Sequence, residues 1–267
     1  MRKYLAFFRL RFSMGLQYRA AAVAGIVTQF FWGAMELLAF RAFYQADPGA
    51  FPMSFQATAS YVWMQQAFLA LFAAWMFENE IFQCIRDGSV AYELCRPVDL
   101  YAMWFARSAA NRVSRAVLRC APILLVAAFL PAPLGMTAPQ SLSAFLWWAV
   151  TMVLGLAVTV GFGMLIYLTT FFTLSPDGVR MVAVSLVEIL QGAIIPLPFF
   201  PDGLRQVLEL LPFAAMQNVP LRAWSGDLSG RDLYAAAGLQ LFWAAALVGS
   251  GWLLSQKALK KTVVQGG

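Results

Sequence analysis

The sequence contains no histidine and only three cysteines, Cys84, Cys95 and Cys120. The cysteines form no CxxC pair and do not have the spacing of metal ligands. These shortages argue against a zinc site and against a membrane enzyme that relies on histidine, a paired catalytic cysteine or a metal cluster. We therefore expect no catalytic residue, no metal and no cofactor in this chain.

Charged residues are also scarce, at 12% of the chain, whereas soluble domains carry about 25%. Hydrophobic residues make up 61% of the 267 residues, and the mean hydropathy is +0.68. This composition is typical of an integral membrane protein with several spans of about 20 residues each. The net charge of +6 does not indicate nucleic-acid binding, because the basic residues stand beside apolar runs, where they set orientation and meet anionic lipid.

The apolar runs predict an all-α integral membrane protein with six transmembrane helices in a single domain, residues 1–267. Residues 1–19 predict an interfacial amphipathic helix, because apolar residues recur there every three or four positions. The proline-bounded residues 196–230 predict a re-entrant helical hairpin on the extracellular side, before the last span. The six expected spans are residues 20–44, 57–77, 101–130, 143–172, 181–195 and 233–254.

Two of these spans contain residues that predict their surroundings. The fourth contains Gly155, Gly161 and Gly163, which we expect to allow close helix packing. The first half of the third contains four arginines, which we expect to extend to lipid phosphates: Arg107, Arg112, Arg115 and Arg119.

The basic residues also predict the orientation of the spans. With both termini in the cytoplasm, all but four of the 19 basic residues fall on the cytoplasmic side, as the positive-inside rule requires. We therefore expect a multi-pass protein of the bacterial cytoplasmic membrane with residues 78–99 inside the cell. The four exceptions are Arg41, Arg205, Arg222 and Arg231.

Residues 78–99 are the longest charged interruption between the apolar runs. Apolar residues three and four positions apart, beginning at Ile81, share one face of a predicted helix over residues 80–87. We expect Gly88 to end that helix, Ser89 to cap a second one, and Pro97 to mark where the second stops. A bent, charged pair of helices between two spans is typical of a docking surface.

The order of these features resembles the permease subunits of type-2 ABC exporters, along nearly the whole chain. The shared features are the basic amphipathic first helix, the hairpin before the last span and, in the charged segment, the run IRDGSVAYELCRPVDLY. The resemblance implies ABC ATPase subunits as partners, a second permease copy or a sister permease, and ATP-driven export. It also places ATP and magnesium in the ATPase, and the sequence agrees, because it has no GxxxxGK[ST] phosphate-binding loop.

The resemblance makes residues 78–99 the coupling segment that enters a cleft of the ATPase. Exposed aromatic and arginine residues anchor such interfaces, although a solvated cytoplasmic loop would have the same composition. The residues that we expect to contact the ATPase are Phe82, Arg86, Asp87, Gly88, Tyr92, Glu93 and Arg96.

Polar residues inside the expected spans suggest a substrate path. Glu36 and Glu188 carry carboxylates that are costly in lipid and so need a partner, a cavity or a substrate. Structural pairing, or a protonated acid bonded within the bundle, is the alternative for both. Gln65 is a further substrate-path residue, although Gln65 and Gln66 also fit interhelical hydrogen bonding.

A second class of function remains open from the sequence, that of an ion-coupled secondary transporter or channel subunit. Such proteins often show internal repeats and several buried titratable groups, whereas this chain has few such groups and no clear repeat. The substrate of an exporter stays open among drugs, lipids, glycoconjugates and peptides.

Overall fold

The computed structural model describes residues 2–49, 51–173 and 175–261. Within these ranges the protein is all-helical, with no β-strand and one short 3₁₀ turn, Leu197–Phe199. The α-helices are α1 (Arg2–Gly15), α2 (Arg19–Ala46), α3 (Phe55–Phe72), α4 (Asn79–Arg86), α5 (Val90–Leu94), α6 (Leu100–Phe129), α7 (Leu142–Thr169), α8 (Asp177–Leu190), α9 (Asp202–Leu210), α10 (Asn218–Ser225) and α11 (Gly230–Lys261).

Three helices of the described chain are long and apolar enough to cross a membrane: α2, α7 and α11. The other predicted spans correspond to α3, α6 and α8, which differ from these three in length or composition. Helix α3 has 18 residues, and α8 has only 14, fewer than the roughly 20 that a span requires. Helix α6 is long, at 30 residues, but its first two-thirds contain the four arginines.

Hydrogen bonds define one end of the bundle. Lys3 Nζ donates to the carbonyl of Pro97 at 2.7 Å, and Arg180, near the start of α8, donates to Asn79 at 3.2 Å. Trp252, near the end of α11, donates to Asp99 at 3.3 Å. These bonds bring α1, α4, the start of α6, the start of α8 and the end of α11 together.

The opposite end is formed by the loops after α2 and α6 and by α10. Gln56, in the first turn of α3, donates to the carbonyl of Gly135 at 2.8 Å. Trp224, in α10, donates to the carbonyl of Thr137 at 3.1 Å. The long helices therefore run between two distinct ends of the molecule. Helix α1 and the later part of α11 lie at the same end.

Helix α7 is the central packing element, and two of its glycines lie at close contacts. A Cβ on Gly161 would lie 3.2 Å from Leu247 of α11. A Cβ on Gly155 would collide with the backbone oxygen of Met216, just before α10. Gly163 is different, because its Cβ would meet only Phe77, at an ordinary 3.9 Å. The prediction of close packing is therefore confirmed at Gly155 and Gly161.

The predicted hairpin consists of two unlike helices. Helix α9 is amphipathic, but only Leu208 on its apolar side is buried. Helix α10 is a core element, since Leu221 is fully buried and the helix packs on α3 and α7. Arg222 connects the two by donating to Glu209 and to Asp227, each at 2.5 Å. The burial of α10 is compatible with a re-entrant hairpin whose backbone is covered by protein, and the re-entrant position stays a prediction.

The expectation that the arginines of α6 extend to lipid phosphates was wrong at two positions. Arg107 and Arg112 are buried and bond to protein groups instead of reaching lipid phosphates. Arg115 is exposed and Arg119 is half-buried. The first half of α6 is thus partly a core element, which the apolar and arginine content of the sequence alone does not reveal.

Because Gly155 has no room for a Cβ, we expect Gly155→Ala to destabilise the protein by about 1–3 kcal/mol through overpacking. Gly249→Ala is the matched control, since Gly249 lies in helix α11 and a Cβ there would meet nothing within 4 Å. The control should be neutral or stabilising by up to about 1 kcal/mol, because alanine favours helix. Thermal unfolding in maltoside micelles measures both, and equal melting temperatures would contradict the close contact.

Candidate coupling surface

Helices α4 and α5 meet at a corner centred on Gly88, which has φ of +77°. Glycine adopts this left-handed conformation at little cost. Asp87 Oδ1 accepts a hydrogen bond from the backbone N–H of Ser89 at 2.9 Å. Hydrogen bonds from Ser89 lower the pKa of the Asp87 carboxyl, with the larger effect from the Ser89 backbone and the smaller from its side chain. The predicted corner is confirmed, but the Ser89 side chain forms no cap bond to α5.

The inner face of the corner is apolar and buried. Ile81, Phe82 and Val90 pack in one cluster with Trp104 of α6 and Tyr167 of α7. The Phe82 ring is only 5% exposed, and its centroid lies 4.8 Å from that of Tyr167. Phe82 therefore packs mainly against the bundle, and the expectation that it is an exposed contact for an ATPase is corrected: only a small part of its ring reaches the surface.

Glu93 is also directed towards the bundle. Its carboxylate accepts a hydrogen bond from Trp104 Nε1 at 2.5 Å, and the residue is half-buried. This contact fixes α5 on α6. Glu93 was expected to contact a partner, but its bonded oxygen is engaged within the chain.

Arg107 of α6 holds the start of the segment. Its guanidinium forms ion pairs with Glu78 and Glu80, which flank the first residue of α4. The side chains of Arg107 and Glu78 are 8% and 14% exposed, so little water screens this pair. Tyr167 OH accepts from the backbone N–H of Glu78 at 2.7 Å. Helices α6 and α7 thus both contact the residue that precedes α4.

Arg112, one turn and a half further along α6, satisfies backbone carbonyls where α3 ends. It is 4% exposed and donates to the carbonyls of Leu71, Ala73 and Met76, each at 3.0 Å. The last carbonyls of a helix have no partner within the helix and carry partial negative charge. A buried cation therefore connects the end of α3 and the chain leading to α4 with α6.

The other end of the segment is fixed by Asp99 and the N-terminal helix. Asp99 Oδ1 caps α6 by accepting from the N–H of Ala102 at 2.8 Å. Its own N–H donates to Tyr4 OH at 2.9 Å. Sequence reasoning missed both tyrosine and aspartate, although an aspartate just before a long apolar helix is a recognised N-cap pattern.

The outer face of the corner carries the remaining predicted residues. Tyr92 is 78% exposed, and the other four also lie on the surface: Arg86, Asp87, Gly88 and Arg96. A cleft of about 490 Å³ adjoins this face, between α4 and the start of α8. Arg180 lines it and lies over the ring of Phe77, with its guanidinium carbon 5.2 Å from the ring centroid. Sequence reasoning did not select Arg180.

A comparison of the sequence with known protein families adds to this geometry. The model of the ABC-2 family transporter proteins matches residues 30–266, which include the whole segment. The chain belongs to the ABC-2 transporter family. As an ABC-2 permease it is a membrane transport subunit, and membership implies association with an ABC ATPase. No curated protein matches the chain.

Each of the three predicted substrate-path residues of the ABC-2 permease has a hydrogen-bond partner within the chain, and their role in a substrate path stays a prediction. Glu36 accepts from Gln66 at 3.3 Å, and no ion pair joins it to Arg41 in the described chain. Gln65 donates to the carbonyl of Ala193 at 2.8 Å. Glu188 accepts from Gln191 at 3.3 Å. Interhelical bonding is confirmed for Gln66 of α3, whose partner lies in α2, while Gln65 bonds to the chain just after α8.

Replacing Arg112 should release the end of α3. We expect Arg112→Leu to cost roughly 2 kcal/mol or more, because the carbonyls of Leu71 and Met76 lose the donor that Arg112 supplies, at about 1–3 kcal/mol each, while the Ala73 carbonyl keeps the N–H of Met76. Thermal unfolding of the ABC-2 permease in maltoside micelles measures the loss, and hydrogen exchange should rise over residues 73–78. Arg115→Leu is the control on the exposed side of the same helix, with an expected change within about 0.5 kcal/mol. Equal effects of the two substitutions would contradict the assigned role of Arg112.

Proposed function

We propose that this permease exports a substrate across the bacterial cytoplasmic membrane, as one of two permease subunits joined to two separate ABC ATPase subunits. The observation that carries the proposal is the two-sided corner of α4 and α5. Its outer face is charged and exposed, and its inner face is bound to α6 and α7. A partner bound at the outer face would move these helices, because the inner contacts leave the corner little freedom.

In the proposed mechanism, residues 78–99 are the coupling segment. ATP binding and hydrolysis in the ATPase would displace the exposed group Arg86, Asp87, Tyr92 and Arg96. Trp104 and Arg107 of α6 bond to the segment, and Arg112 of the same helix bonds to the chain just before it. The displacement would therefore pass to α6 and to the end of α3. Phe82 and Glu93 serve this mechanism as anchors inside the permease.

We further propose six membrane crossings with both termini in the cytoplasm. The contacts of α1, α4, α8 and α11 at one end of the bundle support this arrangement. Helix α8 is short, but residues 191–200 continue from it, and Leu197 and Pro198 there are buried. Irregular backbone is tolerated at membrane depth where protein covers it.

Cysteine labelling in cells tests this topology. In a variant whose three native cysteines are alanine, an impermeant maleimide should label single cysteines at Asp47 and Asp202 from outside. Both positions are exposed. Cysteines at Asp87 and Lys260 should react only after permeabilisation. External labelling at Asp87 would overturn both the topology and the cytoplasmic position of the segment.

The proposed substrate path retains Glu36, Gln65 and Glu188 as contacts. Glu36 supports the proposal best, because its Oε1 atom is buried and has no hydrogen-bond partner in the described part of the chain. A carboxylate in that state would accept a donor or a cationic group of a substrate. The chemical class of the substrate stays open.

The corner provides a test of coupling. Gly88→Val places a β-branched residue at positive φ, a strain of roughly 1 kcal/mol or more. Apart from its two chain neighbours, no atom of the described residues lies within 4 Å of a Cβ there, so the expected effect comes from the backbone. We expect lower substrate-stimulated ATP hydrolysis in lipid with Gly88→Val. Gly88→Asn is the matched control and should retain more activity, because asparagine tolerates this conformation better.

Charge reversal tests docking separately. Arg86→Glu should reduce co-purification of the ATPase with the permease, while Lys257→Glu, an exposed position on α11, should not. Retention of the ATPase and full stimulation in a Gly88→Val, Arg86→Glu double variant would refute the coupling role. A permease that purifies from native membranes without any ATPase and transports along an ion gradient would instead favour a secondary transporter.

A further inference from the structure

A basic cleft lies between α1, the start of α2 and the middle of α6, apart from the outer face of the corner. Its volume is about 460 Å³. Helix α1 approaches α6 closely beside it, because a Cβ on Gly15 would collide with Ser114 Oγ. This approach positions α1 as one wall of the cleft and α6 as the other.

The charges of the cleft are unbalanced. Its lining includes four arginines and two glutamates, Glu78 and Glu80. Both glutamates pair with Arg107. The other three arginines form no ion pair with any carboxylate of the described chain: Arg11, Arg115 and Arg119. The cleft therefore presents three cations without an ion-pair partner among the described residues, and its lining has more positive than negative charges.

Two of these arginines are held in place by their neighbours. Arg119 lies against Gly25 of α2, where a Cβ would be 2.5 Å from the guanidinium carbon. Its Nε is buried and has no acceptor among the described residues. Arg11 lies over the Phe7 ring, with its guanidinium carbon 5.3 Å from the ring centroid. Burial, followed by the charge of Arg107, lowers the pKa of Arg11. A buried donor without an acceptor needs a partner from outside these residues.

We propose that this cleft binds the phosphate group of an anionic membrane lipid. Guanidinium groups suit phosphate because each can donate two parallel hydrogen bonds to its oxygens. The surroundings favour a lipid over free phosphate, since the exposed Met14 lines the cleft and other apolar side chains are exposed on the two helices that form its walls, among them Leu10 of α1 and Leu125 of α6. Such a lipid would link the interfacial helix to α6, the helix that holds the corner. The site does not depend on the proposed export function.

Binding to the purified permease in maltoside micelles tests the site without any ATPase. Maltoside detergents carry no phosphate, so a fluorescent dioleoyl phosphatidic acid meets no competing headgroup. We expect saturable binding that weakens about tenfold or more in an Arg11→Gln, Arg115→Gln, Arg119→Gln variant, since each lost contact removes a charge-assisted bond. Arg2→Gln, Arg9→Gln, Arg19→Gln is the control, because it removes the same charge from exposed positions outside the cleft.

A second variant keeps every charge. Gly25→Ala should displace the Arg119 guanidinium and weaken binding about threefold or more, while circular dichroism confirms that the helices remain. Dioleoyl phosphatidylcholine should compete poorly, and millimolar inorganic phosphate should not displace the anionic lipid. Equal losses in the two triple variants would overturn the proposal in favour of diffuse attraction. Displacement by inorganic phosphate would overturn the lipid as the source of the phosphate group.

Discussion

The arrangement of the candidate coupling surface, formed by α4 and α5, depends on one contact, that of the buried Arg112 guanidinium. Helix α3 ends at Phe72 inside the protein, where water cannot satisfy its last carbonyls. Arg112 supplies donors to three carbonyls between Leu71 and Met76. The bonds to Arg112 also set the direction in which the chain enters α4. At the start of α4, the ion pairs of Arg107 with Glu78 and Glu80 hold the chain to α6.

This network divides the corner into an anchored face and an accessible face. Apolar packing around Phe82, and the bond from Trp104 to Glu93, hold the inner face to the bundle. Tyr92 and Arg96 remain exposed on the other side. A membrane permease of an ABC transporter needs a surface that a partner can move, and the exposed face is the candidate for it. The proposed lipid site adjoins the start of the same segment, since Glu78, Glu80 and Arg107 of α6 line its cleft.

Local rules were sufficient for features that depend on neighbouring residues. Gly88 and the composition of residues 78–99 predicted two short helices and their corner, and apolar runs predicted the long helices. Distant contacts were not readable in the same way. Arg112 bonds to carbonyls 36–41 residues away in the chain, so its sequence neighbours suggested lipid instead. Phe82 was predicted to contact the ATPase because its sequence neighbours do not reveal its packing against Tyr167, which lies in α7. The division of the hairpin into a surface helix and a core helix depends likewise on packing against α7.

The proposed coupling mechanism requires residues 78–99 to move with α6 as one body. Spin labels at Leu94 and Val117, which are exposed on α5 and α6 and are not among the predicted ATPase contacts, report the distance between them by double electron–electron resonance. The complex with its ATPase would be measured in lipid, without nucleotide and with ATP bound. If the segment and α6 move as one body, the distance distribution is the same in both states, in a complex that hydrolyses ATP before and after labelling. A shift of the distribution on ATP binding would contradict that requirement.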